Sequence, residues 1–284
     1  MGATGFIGSN LIEHLAAQGH EIEGWGRRPS ASLPLHLYRS LDLSSPTAFS
    51  GMTGSWDAVY LLSAHAVPST SWNGDMVIEN IRMAGRFLEF VKEASPDCRV
   101  IVASSALVYG PGEPRFSESH PRSPGSLYAL SKAMVEDWAG FTARSMDIQI
   151  ARIFNQVGPG MPKGLLASDA LERLRDGAGP LHFNGSDSFR DYLDARDGVD
   201  ALARLSSVRA PSGSLWNICS GEGCSVSGLA ELLMSALKIR KPITFKQDKP
   251  DRLVGDPSKL VNATGWRPQH SLSEALDRLA KASN

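Results

Sequence analysis

The chain has 284 residues, 42% of them hydrophobic and 21% charged, with a net charge of −1. That length allows one large domain or two coupled ones around a real core, and that charge gives no general attraction to nucleic acid or to an anionic membrane. Cys98, Cys219 and Cys224 are too sparse for a disulfide framework or a metal centre, and no apolar run reaches the roughly 18 residues of a membrane span, so the composition reads as a cytoplasmic protein.

The first ten residues, MGATGFIGSN, place Gly2, Gly5 and Gly8 ahead of a helical pattern over Ser9–Gly19. Glycines at this spacing let a backbone approach a pyrophosphate closely, and the helix N-terminus favours its charge. EIEGW (21–25) and DAVYLLSA (57–64) read as strands, followed by a helix near 76–94 and the strand RVIVASS (99–105). A helix near 127–145 and the strand DIQIARIF (147–154) come next. Strands alternating with helices imply crossover connections and an α/β, Rossmann-type doubly wound parallel sheet. After Asn155 the pattern loosens, with an amphipathic stretch LLASDALERLRDG, a late strand WNICSG (216–221) and a helix over 225–237. We read residues 1–154 and 190–218 as the dinucleotide-binding domain, and 155–189 with 219–284 as a smaller α+β substrate-binding cap. The cleft between them is the expected ligand site.

The glycine loop normally leaves the end of the central strand of such a sheet. Here only Met1 precedes Gly2. The first strand is thus expected to lie upstream, with the natural chain beginning roughly 5–10 residues earlier; without it, EIEGW and DAVYLLSA would present unpaired ladder edges to the interior.

At the end of the EIEGW strand stand Gly26, Arg27 and Arg28, with no carboxylate to accept a ribose 2′-hydroxyl. Two guanidiniums suit a 2′-phosphate, so NADP(H) is preferred and NAD(H) remains possible. Asp42 and Leu43 are placed to meet the adenine.

In LYALSK (127–132) Tyr128 and Lys132 are four residues apart and project from one helix face. An ammonium near a phenol is expected to lower its pKa by about 1–3 units and to make it a usable proton-transfer group. Ser105, ending RVIVASS, can hydrogen-bond a substrate carbonyl or alkoxide.

These segments, with GATGFIGSNL, SSALVYG, ARIFNQVGPG, FRDYLDARDGVDAL, WNICSGEGCS and GDPSKLVNATGWRP, resemble the extended short-chain dehydrogenases/reductases, the sugar-nucleotide epimerase/dehydratase family, over essentially the whole chain. RIFNQVGPG, RDYLD and WNICSG are most similar to the GDP-4-keto-6-deoxy-mannose reductases within it. The resemblance implies a catalytic triad of Ser105, Tyr128 and Lys132 and an active-site asparagine at Asn80. It implies cofactor contacts from Gly2, Gly5, Phe6, Ile7, Gly8, Arg27, Arg28, Asp42, Leu43, Ser63, Ala64, Asn80, Ser104, Tyr128 and Lys132. The substrate, a nucleotide-diphosphate sugar, would be held by Ser105, Asn155, Arg190 and Arg252. It also implies a homodimer formed through the helices near 76–94 and 127–145.

Ala106 and Leu107 follow Ser105 where the family's dehydratases carry an Asp–Glu pair and its fucose-forming enzymes a cysteine. Elimination and carbon-bound proton abstraction thus have no evident base. Three readings stay open: a 4-ketoreductase, favoured by Arg27 and Arg28; a 4-epimerase with bound NAD; and a non-catalytic NADP-binding regulatory or scaffold protein.

Overall fold

A computed structural model describes residues 1–27, 32–65, 74–112, 115–176, 179–247 and 249–282. The glycine loop runs into α1 (Phe6–Ala17), followed by the short parallel pair β1 (Glu23–Gly26) and β2 (Leu37–Ser40). Then come β3 (Ala58–Leu61), α2 (Gly74–Ala94), β4 (Arg99–Ser105), α3 (Leu127–Thr142) and β5 (Asp147–Ile153). After β6 (Asn155–Val157) the chain forms α4 (Leu166–Asp176), β7 (Leu181–Phe183), β8 (Phe189–Asp194), α5 (Ala195–Arg204) and β9 (Ser214–Ile218). The remainder is β10 (Gly223–Ser225), α6 (Val226–Leu237), β11 (Ile243–Phe245), β12 (Arg252–Leu253), α7 (Ser258–Thr264) and α8 (Leu272–Ala282).

The main sheet is parallel, in the order β3–β4–β5–β9. Its strands are apolar on both faces because helices cover both. Val100 and Val102 of β4 face Phe87, Leu88 and Val91 of α2 and Val135 and Ala139 of α3. Ile101, one residue out of phase, faces the opposite layer of Leu11, Leu202, Leu260 and Trp266. All three β4 side chains are fully buried. This is the doubly wound arrangement that the alternation of strands and helices implies.

The other two strands of this layer stand apart. β1 pairs only with β2, and β3 only with β4, among the described residues. Between β1 and β3 lies a cavity of about 580 Å³, lined by residues including Leu11, Trp25, Val59, Tyr60 and Phe87. Met1–Ala3 bridge only its upper end. The Met1 amino group donates to Tyr60 O (2.8 Å) and Leu62 N to Met1 O (3.1 Å). Gly2 N and Ala3 N both donate to Trp25 O, at 2.9 and 3.1 Å. The facing edges expected from the sequence are present, and the space between them is a void rather than a collapsed contact.

A second unit of structure is built from β8, flanked by β10 and β12 and also paired with β6, together with the β7–β11 pair. Helices α4, α6 and α8 pack over it through Leu171, Leu229, Leu233 and Leu276. Asp191, in β8, is fully buried. Its carboxylate accepts hydrogen bonds from Ser220 N, Ser220 Oγ, Gly221 N and Gly255 N at 2.7–3.2 Å.

Candidate active site

The glycine loop is shaped for a group that approaches the backbone. Gly2 has φ +85°, a left-handed conformation open to glycine, and a side chain there would press on Ser63 N and Oγ. Any Cβ on Gly8 would collide with the carbonyl of Gly2, so the first turn of α1 sits directly on the loop. Gly5 is the N-cap, with no side chain capping the helix and no acidic residue in its first turn. Phe6 and Ile7 open α1. Free N–H groups and the positive helix end fit a dinucleotide pyrophosphate.

Ser63 and Ala64 follow β3, and Asn80 of α2 fixes the strip just beyond them. Its Oδ1 accepts from His65 N (2.7 Å), and its Nδ2 donates to His65 O (3.1 Å) and to Ser131 Oγ (3.0 Å). Asn80 thus ties the cofactor side of β3 to the residue next to Lys132 on α3. Arg27 is exposed at the end of β1, and Arg28 lies outside the described residues. Asp42 turns its carboxylate onto Ser44 N and Oγ, which holds it below the usual carboxylate range, while Leu43 is buried.

β4 and α3 assemble the chemical end. Ser126 caps α3 by accepting from Ala129 N, which places Tyr128 in the first turn. Lys132 Nζ lies 6.0 Å from the centroid of the Tyr128 ring and donates to Ala103 O (2.7 Å). Ser105 Oγ accepts from Leu107 N (3.2 Å) and also faces the Tyr128 phenol. The structure brings Ser105, Tyr128, Lys132 and Asn80 into one cluster.

One expectation is corrected. Lys132 does not lower the Tyr128 pKa here; burial pushes the phenol up to about 12, with Ser105 working weakly the other way. The ammonium itself is pushed down to about 8 by burial, opposed by Glu136. Desolvation prevails because the phenol is deeply buried, while the Lys132 ammonium lies 6.0 Å from the ring centroid with one N–H directed at Ala103 O. Tyr128 is therefore held as the protonated phenol.

The sequence did not single out the buried cluster behind this site. Glu136 takes Arg152 in a bidentate pair (Nε–Oε1 2.9 Å, Nη2–Oε2 2.7 Å) and accepts from Ser104 Oγ at 2.6 Å. The Ser104 hydroxyl is directed to α3. The available signal was the spacing: Tyr128, Lys132 and Glu136 lie at i, i+4 and i+8.

The proposed diphosphate residues lie on neighbouring strands. Asn155 pairs with Tyr192 across β6–β8 and its Nδ2 donates to Asp191 O (2.9 Å). Arg190 is in β8, and Arg252 of β12 pairs with Phe189, over whose ring its guanidinium lies at 5.3 Å. Arg190 is paired with Asp251 (2.7 Å) and lines a cavity of about 490 Å³ with Leu166, Arg173, Phe183 and Lys249.

A glycine cradle on a helix N-terminus, a doubly wound sheet and a Ser–Tyr–Lys cluster at the strand ends define a dinucleotide-dependent enzyme of the short-chain dehydrogenase/reductase type. The model of the NAD dependent epimerase/dehydratase family matches residues 1–219, and the chain belongs to that family. It is 28% identical to a GDP-6-deoxy-D-mannose reductase of Pseudomonas aeruginosa, over 97% of this chain and 93% of the relative. A solved structure of RMD from Pseudomonas aeruginosa complexed with NADPH superposes with a TM-score of 0.85 at 25% identity, covering 99% of this chain and 96% of that one. MoeE5 in complex with UDP-glucuronic acid and NAD superposes with a TM-score of 0.87 at 25% identity, covering 99% and 97%. A nicotinamide dinucleotide is thus the cofactor class. Among the described residues, no helix is long and apolar enough to cross a membrane.

Proposed function

We infer that the chain reduces the C4 carbonyl of a nucleotide-linked 4-keto-6-deoxyhexose, with NADP(H) preferred over NAD(H). The observation that carries this is Tyr128, a phenol held protonated beside Ser105 and Lys132 with no second proton-transfer group following Ser105. Ala106 and Leu107 occupy those positions, and His65, on the cofactor side, is paired with Glu79 at 3.1 Å. The names of the similar reductase and of the NADPH complex support the same reading.

When bound, the reduced nicotinamide supplies a hydride to the carbonyl carbon. Ser105 Oγ orients the carbonyl oxygen, and the Tyr128 phenol gives its proton to the alkoxide as the new C–H bond forms. Lys132 then faces the phenolate and stabilises it. Asn155, Arg190 and Arg252 would hold the diphosphate, and the cavity beside Arg190 has room for the nucleoside. Phe183, stacked with Phe245 at 5.5 Å, supplies an aromatic wall there.

The deciding experiment offers nucleotide-linked 4-keto sugars with NADPH and with NADH, following cofactor oxidation and reading product configuration by NMR. Stoichiometric NADPH oxidation with a C4 alcohol product is expected. Interconversion of nucleotide sugars without net cofactor turnover would replace this reading with the 4-epimerase.

The same enzyme is proposed to pair through α2 and α3. Leu130, Met134, Trp138 and Phe141 form one exposed apolar face of α3, and Ile78 of α2 is 52% exposed. Sedimentation of Phe141→Glu against the unaltered chain tests it, with loss of a dimer expected.

A further inference from the structure

Glu136 is buried behind the Ser105–Tyr128–Lys132 cluster and joins three elements that carry it. It lies on α3, one turn beyond Lys132 and two beyond Tyr128, and it is buried. Ser104 Oγ, at the end of β4 next to Ser105, donates to its Oε1. Arg152 of β5 takes both carboxylate oxygens and lies over the Tyr109 ring at 4.6 Å. Arg122 reaches Oε2 at 3.4 Å and also donates to Ala133 O on α3 (2.7 Å). Every oxygen of this carboxylate is used, and every donor comes from a segment next to a residue of the cluster.

We propose that Glu136 is a positioning residue, whose carboxylate locks the end of β4 to α3 and β5 and so sets Ser105, Tyr128 and Lys132 in mutual register. Two consequences follow from the geometry. The Ser104 bond fixes the strand end on which Ala103 O receives Lys132 Nζ, so the ammonium and the Ser105 hydroxyl are placed by the same clamp. The carboxylate also adds negative charge on the Lys132 face, opposing the burial that favours the neutral amine. Titratable groups on the surrounding elements are Tyr128 and Asp137 on α3, Arg152 on β5, Tyr109, Glu118 and Arg122 between β4 and α3, and His65 and Glu79 on the α2 side. Arg122 keeps Asp137 (2.6 Å) as its partner when Glu136 is made neutral, but Arg152 loses its carboxylate, which adds to the pressure on the ammonium.

The inference uses the proposed reduction only for its activity arm, so its main readout is independent of any substrate. Lys132 is titrated by NMR with 13Cε-labelled lysine in the full-length protein, its signal assigned with Lys132→Arg. The midpoint is expected near 8 in the unaltered chain. In Glu136→Gln it is expected to fall by about one unit or more, and in Glu136→Asp, which keeps the charge, to return toward the original value. With a 4-keto sugar nucleotide, Glu136→Gln is expected to lose about tenfold or more in kcat with little change in KM. A folded Glu136→Gln with an unmoved Lys132 midpoint overturns the proposal. If that variant fails to fold, Ser104→Ala removes only the β4 tie. Its Lys132 midpoint is then expected to rise as water reaches a loosened strand end, and an unchanged midpoint overturns the proposal equally. A protein that turns over no keto sugar, yet shows the midpoint shift, disproves the reduction and leaves the role of Glu136 standing.

Discussion

The two ends of the candidate site are built from the same unit, a strand feeding a helix, but held by different means. At the chemical end, β4 and β5 pair over seven residues each, and a buried ion pair joins them to α3. At the cofactor end, β1 is four residues long and faces β3 across about 580 Å³ of cavity. The glycine loop above it keeps its cradle through four hydrogen bonds of Met1–Ala3 to the two flanking strands and the packing of Gly8 on Gly2. Binding geometry at a loop can therefore be set locally, while its resistance to unfolding depends on what lies beneath. Interiors are normally packed to crystal-like density, so filling the gap between β1 and β3 is expected to stiffen the cofactor end.

The sharpest way to separate the halves is Tyr128→Phe. It removes the proton donor and leaves the cradle untouched, so kcat is expected to fall about 10²–10⁴-fold, or ~3–5 kcal/mol of barrier, with NADPH affinity preserved. Near-original turnover would show that the phenol is not the acid.

The opposite manipulation acts on the cofactor end alone. Five aliphatic residues in extended form placed ahead of Met1 would bury about four large side chains between β1 and β3, worth about 6–12 kcal/mol before chain ordering takes back about 1–2 kcal/mol per residue. A net gain of about 2 kcal/mol in unfolding free energy is expected, with amide exchange in β1 slowed toward that of β4. A glycine–serine extension of equal length is the control. Equal effects from both would show that the cavity is not strand-shaped.

A smaller effect is expected from Arg190→Met, which should raise KM for the nucleotide sugar about tenfold while kcat and NADPH binding hold, because the guanidinium acts on neither reacting atom. Equal losses in kcat would move Arg190 into the chemistry.

The mildest test is pH. Lys132 is an ammonium below about 8 and an amine above it, so kcat is expected to decline as pH rises through about 8. Stability carries the other sign. Between about 8 and the ordinary lysine value of about 10.5 the unfolded chain holds the proton more tightly, so this group stabilises the fold increasingly as pH rises. A rate that stays flat to pH 10 would remove the ammonium from the mechanism.

Much of this was legible in the residues. RVIVASS matches β4 end to end, because its unbroken aliphatic run admits only a strand covered on both faces. The helix carrying Tyr128 and Lys132 was expected near 127–145 and runs over Leu127–Thr142, while its Ser126 cap emerged only in the structure. Less was legible wherever partners are remote in sequence. Arg152 reads as an ordinary charge in a strand until Glu136 is seen opposite it, and Arg190 finds its carboxylate at Asp251 rather than at the adjacent Asp191 or Asp194. The phenol–lysine pair was read with the wrong sign of shift, because spacing reports proximity and says nothing of desolvation.

Asp191 bears on the order in which the molecule is made. Its carboxylate is buried, and its donors come from Ser220, Gly221 and Gly255, up to 64 residues further along the chain. During synthesis from the N-terminus, β8 emerges long before the last of these amides exists. Burying Asp191 costs least once all four donors are in place, so the last closure of this sheet, through β12, is expected to await Gly255. The β6–β8–β10–β12 sheet is thus completed late, together with α7, whose Leu260 packs into the layer beneath the main sheet.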